Sequence, residues 1–285
     1  MSRLYSSFDL SRILADDLER VAREKREAEA AARKAVIAAK RVRGKKTVPD
    51  SPSVGPLAPF SLEKVGAHYC LHNLVVNGAV YDYLWSGELL PDAHPQEEWL
   101  STPEYRTVDG IKFDLPSSLE WGATIVALYH HRNTKDPAQQ VLLEEFKLSL
   151  VDSLKRYVVT ATRMTYTPTV HDLVEYLRRN SNHLYNADLA GKNCPLDASM
   201  SSETRAWFGV DAQEFMDAAT WLTGFGVHVF RRERPKEKQE VRALVLGVVD
   251  SGRFNIDADD SINDDRPARG VAVRKILPPA TEAPR

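Results

Sequence analysis

Two histidines and a cysteine alternate along His68-Tyr69-Cys70-Leu71-His72. On a strand, residues two apart share a face, so both imidazoles and the thiol would point one way as a zinc-type donor set. Zinc needs a fourth ligand, for which His94, His130 and His131 are available. No CxxC or HExxH spacing accompanies the trio, and ligands spread along an extended strand open too wide for tetrahedral closure. The alternation is therefore read as structural, and neither a metal nor any other cofactor is expected.

The run Asp257-Ala-Asp-Asp-Ser-Ile-Asn-Asp-Asp265 imitates the start of a calcium loop. It departs where calcium chemistry is most demanding. Ile262 stands where the loop needs glycine, and Ala268 where it needs a bidentate glutamate. Nucleophilic chemistry has as little support. The chain lacks a GxSxG elbow, a P-loop and a GxGxxG turn, and Cys194 before Pro195 reads as an ordinary thiol in a polar loop. No catalytic residue and no enzymatic activity are expected.

The most informative stretch is Arg253-Phe-Asn-Ile-Asp257. Phe254 and Ile256 alternate with Arg253, Asn255 and Asp257, which predicts a strand with one buried and one wet face. The wet face would lie beside the polar loop that follows it.

These residues must be positioned by a fold, and composition bounds it. The chain has 285 residues, 43% of them hydrophobic and 27% charged, as in ordinary globular proteins. A net charge of -2 gives no bulk attraction to nucleic acid or anionic membrane. The two cysteines, Cys70 and Cys194, do not make a disulfide framework. No apolar run is long enough to span a membrane, and the acidic N-terminus lacks a signal-peptide core, so a cytoplasmic location is expected.

Residues 1–46 are predicted to form a long charged helix over 9–43. Leu14, Val21, Ala28, Ala35 and Val42 recur every seven residues, with Leu18, Lys25, Ala32 and Ala39 four positions after the first four. This is an alanine-rich coiled-coil stripe, open to self-association. The basic stretch at 40–46 suits the end of a helix, and nucleic acid is not an expected partner. Residues 47–60 carry four prolines and form an extended linker. Residues 61–277 form the folded domain, and 278–285 a tail.

Within the domain, Asn77-Gly78 and Asp109-Gly110 mark tight hairpins. Ser117 and Glu120 form a capping box opening a helix to about 131, and Asp136-Pro137 opens another with Leu143, Phe146, Leu150 and Leu154 on one face. A strand is predicted over 157–162. Thr169 is predicted to cap a helix carrying Leu173, Val174 and Leu177, and Asp211 a further helix ending at Gly224. Strands follow at 225–231, 241–250, 253–257 and 269–276, with Ser251-Gly252 closing a hairpin. Strands, then helices, then strands make the class α+β.

Three segments carry a family resemblance. Gly110-Ile-Lys-Phe-Asp-Leu-Pro-Ser-Ser-Leu-Glu-Trp121 resembles the LPT-x-x-EW segment of formylglycine-generating-enzyme-like and C-type-lectin-fold bacterial proteins. Val158-Val-Thr-Ala-Thr-Arg163 is similar to their central strand. Val241-Arg-Ala-Leu-Val and Ala268-Arg-Gly-Val-Ala-Val-Arg-Lys-Ile276 resemble their closing strands. Over residues 65–277 the chain most resembles the variable proteins of diversity-generating retroelements. The resemblance implies a C-type-lectin-like domain behind the N-terminal helix. It also implies a diversified ligand-binding surface near the C-terminal end, made here of Asp250, Ser251, Arg253, Asn255, Asp257, Asp259, Ser261, Asn263 and Asp264. Val271 and Val273 would face inward from an invariant scaffold strand. The implied partner is a protein or other macromolecule. The lectin calcium triplets are absent, and so are paired cysteines near the C-terminus, so neither calcium-dependent sugar binding nor oxidase activity is carried over. An assembly role through the N-terminal helix, and a metal-assisted activity at His68, Cys70 and His72, are the alternatives.

Overall fold

A computed structural model describes residues 59–169, 171–177, 184–249 and 252–277, with side chains for all but 184–187 and 275–277. The predicted N-terminal helix, most of the linker, the tail, and Asp250 and Ser251 lie outside the described residues. Those described fall in one compact unit, Val54–Thr281.

The opening strands follow the turn chemistry. β1 (Ser61–Val65) pairs antiparallel with β2 (His68–Val76), and β2 with β3 (Ala79–Leu89). Asn77 and Gly78 join β2 to β3 with φ of 48° and 79°, the left-handed pair that a two-residue turn between twisted strands requires. Asp109 and Gly110 repeat this between the short strands β4 (Thr107–Val108) and β5 (Ile111–Lys112).

The helices begin where the caps place them. After the short α1 (Gln96–Ser101), α2 (Ser118–His131) opens with Ser117 and Glu120 in a reciprocal box, and Ser117 N–H donates to Glu120 Oε2 at 2.6 Å. In α3 (Pro137–Leu154), Asp136 accepts from Ala138 N–H at 2.9 Å, and Leu143, Phe146, Leu150 and Leu154 are all buried. The helices α4 (Ser201–Phe208) and α5 (Ala212–Thr223) end at Gly209 and Gly224 with φ of 71° and 79°. Among the described residues no helix is long and apolar enough to cross a membrane.

The second sheet runs β8-β7-β6-β11-β12-β10-β9. Its members are β6 (Val158–Tyr166), β7 (Asp172–Tyr176), β8 (Leu184–Ala187), β9 (Cys194–Pro195), β10 (Gly226–Phe230), β11 (Glu240–Val249) and β12 (Arg253–Asp260). All its pairs are antiparallel except β10–β12, which is parallel. The segment expected as a helix after Thr169 is the strand β7. Asp172, Val174 and Tyr176 are buried in alternation, and the Asp172 carboxylate accepts from the N–H groups of Thr167, Leu189 and Ala190 while pairing with Arg234 at 3.1 Å. Long-range partners, not local propensity, set this segment's conformation.

The last strand, β13 (Arg269–Leu277), leaves the second sheet and pairs with β3, completing the first sheet as β1-β2-β3-β13. Val271 is buried as expected, but Val273 is 40% exposed. β13 is an edge strand, and its register against β3 shifts between Val273 and Lys275. Arg269 is wholly buried and forms no ion pair among the described residues; it donates to the carbonyls of Ser86 (2.9 Å) and Gly87 (2.7 Å) and to the hydroxyls of Ser149 (2.7 Å) and Ser153 (3.0 Å). One guanidinium thus ties β13, β3 and α3 together. The main core includes Trp85 and Trp121, whose rings meet edge-on at 5.0 Å, with Phe146, Phe215, Leu246 and Phe254. A smaller core gathers Cys70, Leu84, Trp99, Phe113, Val159 and Val245. This mixed helix-and-sheet architecture agrees with the predicted α+β class.

Candidate functional site

β12 lies between β11 and β10, so neighbouring strands hold its backbone on both sides. Phe254, Ile256 and Ala258 enter the main core. Arg253, Asn255 and Asp257 stand on the opposite face, as the alternation predicts. Parallel register places His228 beside Asn255 and Phe230 beside Asp257, and the His228 and Phe230 rings lie 5.0 Å apart. Val227 and Val229 take the core side of β10, which leaves His228 and Phe230 on the β12 outer face.

On the β11 side, Gly247 opposes Asn255. Its missing side chain is required, because a Cβ there would lie 2.6 Å from a ring carbon of Tyr157. Tyr157 itself has a φ of 57°, uncommon for a residue with a side chain, and this turns the chain just before β6. Its hydroxyl accepts a hydrogen bond from Asn255 Nδ2 at 2.7 Å.

One expectation needs correction here. Asn255 is not on a wet surface; it is 5% exposed, beneath Tyr157. Its Oδ1 is buried without a hydrogen-bond partner. Asp257 is half-buried, and burial pushes its carboxyl above the ordinary aspartate value despite a 3.0 Å bond from Asp259 N–H. Burial, reinforced by the Arg253 charge, pushes His228 below the ordinary histidine value. Arg253 is exposed.

The following loop is firmly tethered. Gln96 N–H donates to the Ile262 carbonyl at 3.1 Å, His94 and Arg266 exchange backbone bonds at 3.3 and 3.1 Å, and Trp99 Nε1 donates to the Arg266 carbonyl at 2.8 Å. Arg266 grips the buried Asp260 through both carboxylate oxygens, at 2.8 and 2.9 Å. Asp259 is drawn toward Arg242 at 3.1 Å and Arg232 at 3.7 Å. Ser261 is half-buried and accepts from Asn263 N–H at 3.2 Å, while Asn263 and Asp264 are exposed. The structure therefore brings Arg253, Asn255 and Asp257 to one face, commits Asp259 to ion pairs, and sets Ser261, Asn263 and Asp264 on the adjoining loop. Tyr157, His228 and Phe230 join the face from other elements. Nothing local to the 253–264 segment announces them, although Gly247 in a strand already signals a close approach.

The histidine–cysteine alternation converges only in part: Cys70 Sγ stands 4.0 Å from His72 Nδ1, while His68 is engaged elsewhere. His68 is buried, packs edge-on against Phe113 at 5.2 Å, and accepts the Gly87 N–H at Nδ1 (3.3 Å). Cys70 is buried, which pushes its thiol up to about 11. His72 is half-buried and turns toward Glu63. The fourth-ligand candidates are engaged elsewhere: His94 stacks on Tyr105 at 3.8 Å, His130 pairs with Glu214 at 2.8 Å, and His131 packs against Phe60 at 5.4 Å.

No family model matches the chain. No curated protein matches it either. A solved structure described as "Accommodation of massive sequence variation in Nanoarchaeota by the C-type lectin fold" aligns with 70% of this chain and 100% of that chain, at 10% sequence identity and a TM-score of 0.33.

Proposed function

We propose that this chain is a ligand-binding display protein with a C-type-lectin-like domain, whose outer β12 face and following loop meet a protein or other macromolecule. The observation that carries the reading is the face itself. Arg253, Asn255 and Asp257 sit among Tyr157, His228 and Phe230, on a strand paired along both edges. A cation, an acid and three rings on a fixed backbone are the ingredients of a recognition surface, where a few rigid anchors dominate binding. The return of β13 to β3, which sets the closing strand beside the opening hairpin, supports the lectin-like reading.

Diversification would suit this geometry. Exchanges on an outer strand face usually change stability by only about half a kcal/mol. Phe254, Ile256 and Ala258 meanwhile hold the backbone from behind. Two libraries in the full chain test the reading, one randomising Arg253, Asp257, Ser261 and Asn263, the other Phe254, Ile256 and Ala258. The outer library is expected to stay folded and to yield binders to arbitrary protein targets, while the inner one loses the fold. Equal loss of fold in both libraries, or a folded outer library without binders, would remove the proposal. The retroelement component has its own test in flanking DNA, where a near-copy of the codons for 248–277 beside a reverse transcriptase is expected.

A further inference from the structure

A second constellation lies on the first sheet, away from the β12 face. Cys70 pairs in register with Glu63 across β1 and β2. Two residues along, the β2–β3 register shifts between Leu71 and Leu74, and Asn73 takes a φ of 58°. That irregularity accompanies a His72 side chain held between two carboxylates. Its Nε2 lies 3.0 Å from Glu63 Oε2, and its Nδ1 lies 3.4 Å from Asp82 Oδ2. Asp82 is itself fixed, because its Oδ1 accepts the Asn73 N–H at 3.0 Å. The Cys70 Sγ stands 4.0 Å from His72 Nδ1. One donor atom each from Glu63, Cys70 and His72 lies within 4.8 Å of the others.

We propose that Glu63, Cys70 and His72 bind a zinc-class divalent cation, with Asp82 orienting the imidazole from behind. A thiolate, an imidazole and a carboxylate suit zinc and related transition metals and suit magnesium or calcium poorly. With the ion at Nε2 beside Glu63, Asp82 at Nδ1 is the far-nitrogen carboxylate that usually supports such sites, and the Cys70 thiol, 4.0 Å from Nδ1, swings toward Nε2. Bond lengths near ~2.0–2.3 Å place tetrahedral donors roughly 3.3–3.8 Å apart, so the three must close by about 1 Å. Glu63 Oε2 already lies 3.0 Å from His72 Nε2, so the closure falls on the His72 ring and the Cys70 side chain. Binding exchanges the Cys70 S–H bond for an S–metal bond and releases the proton to solvent. The ion would clip the edge strand β1 to β2, and a water would complete its coordination.

Cobalt(II) titration of the full chain tests the site, because a thiolate ligand gives a near-ultraviolet charge-transfer band. Cys194 is the only other cysteine, so the source of the band is separable. One cobalt per chain is expected, with the band unchanged in Cys194→Ser and absent in Cys70→Ser. Zinc should displace the cobalt, and Asp82→Asn should weaken binding by about 10–100-fold. If Cys70→Ser fails to fold, Glu63→Gln and His72→Gln, at less buried positions, should each weaken cobalt binding by at least about 10-fold in a folded chain. No band in the unaltered chain, a band that vanishes with Cys194→Ser, or full affinity in both Glu63→Gln and His72→Gln would overturn the proposal.

Discussion

Replacing Asn255 by valine should stabilise the domain. Asn255 is 5% exposed, its Nδ2 donates to Tyr157 at 2.7 Å, and its Oδ1 has no partner. A buried unmatched acceptor costs about 1–3 kcal/mol, and the single hydrogen bond returns about 0.5–1.5 kcal/mol. Valine removes both, suits a central strand, and leaves the half-buried Tyr157 hydroxyl able to reach water. The net expectation is a gain of about 1 kcal/mol, or roughly 0.3–1 M in urea midpoint at ordinary denaturant sensitivities. Thr160→Val, on β6 of the same sheet, is the control. Thr160 is fully buried with its hydroxyl in use, donating to the Leu244 carbonyl at 2.8 Å and accepting from Thr162 N–H at 3.2 Å. That variant should lose about 1–3 kcal/mol. Both are read by urea unfolding of the full chain with circular dichroism. If Asn255→Val loses as much as Thr160→Val, the buried amide contributes net stability and this reasoning fails.

Gly247→Ala should cost about 1–3 kcal/mol and reduce the near-ultraviolet tyrosine dichroism, because the new methyl drives Tyr157 off the sheet; an unchanged spectrum would refute the close approach. Arg269→Ala should cost more than about 3 kcal/mol by urea unfolding, through a cavity and stranded acceptors. Arg269→Lys should still cost about 1–3 kcal/mol, since one ammonium cannot serve two carbonyls and two hydroxyls at once; a loss under 1 kcal/mol in both variants contradicts this. Asp257→Asn concerns pH. Burial raises the folded-state value of Asp257 above its ordinary 3.8, so its penalty is absent below that value and complete above the raised one. Relative to the unaltered chain, Asp257→Asn should therefore gain stability as pH rises through that interval; a pH-independent difference in urea midpoints would argue against it.

Local chemistry made much of this fold legible. Asn77-Gly78, Asp109-Gly110, the Ser117–Glu120 box and Asp136-Pro137 each specify a backbone shape within four residues, and each is found as read. The alternation in 253–257 correctly assigns Phe254 and Ile256 to the core. Reading stops where distant residues decide. Leu173, Val174 and Leu177 suit a helix by spacing, yet Asp172 is held by Leu189, Ala190 and Arg234 in a strand. Asn255 looks wet by parity, yet Tyr157, 98 residues away, covers it. His228 reaches the site through a parallel pairing that its own neighbourhood does not signal. His68, Cys70 and His72 share a strand, but the partner of the last two, Glu63, comes from another one.

The return of β13 to β3 also bears on how the chain folds. The Gly270 N–H meets the Ser86 hydroxyl across 184 residues. During synthesis β3 therefore waits with one edge open until almost the whole domain has emerged, a state prone to mispairing. The segment proposed for recognition is made just before the strand that shuts that edge. A variant of β12 that cannot lodge its core side chains would leave β13 badly placed, and the opening hairpin would stay open. Closure of the first sheet thus depends on the second, because the buried side chains of β12 must lodge before β13 can reach β3.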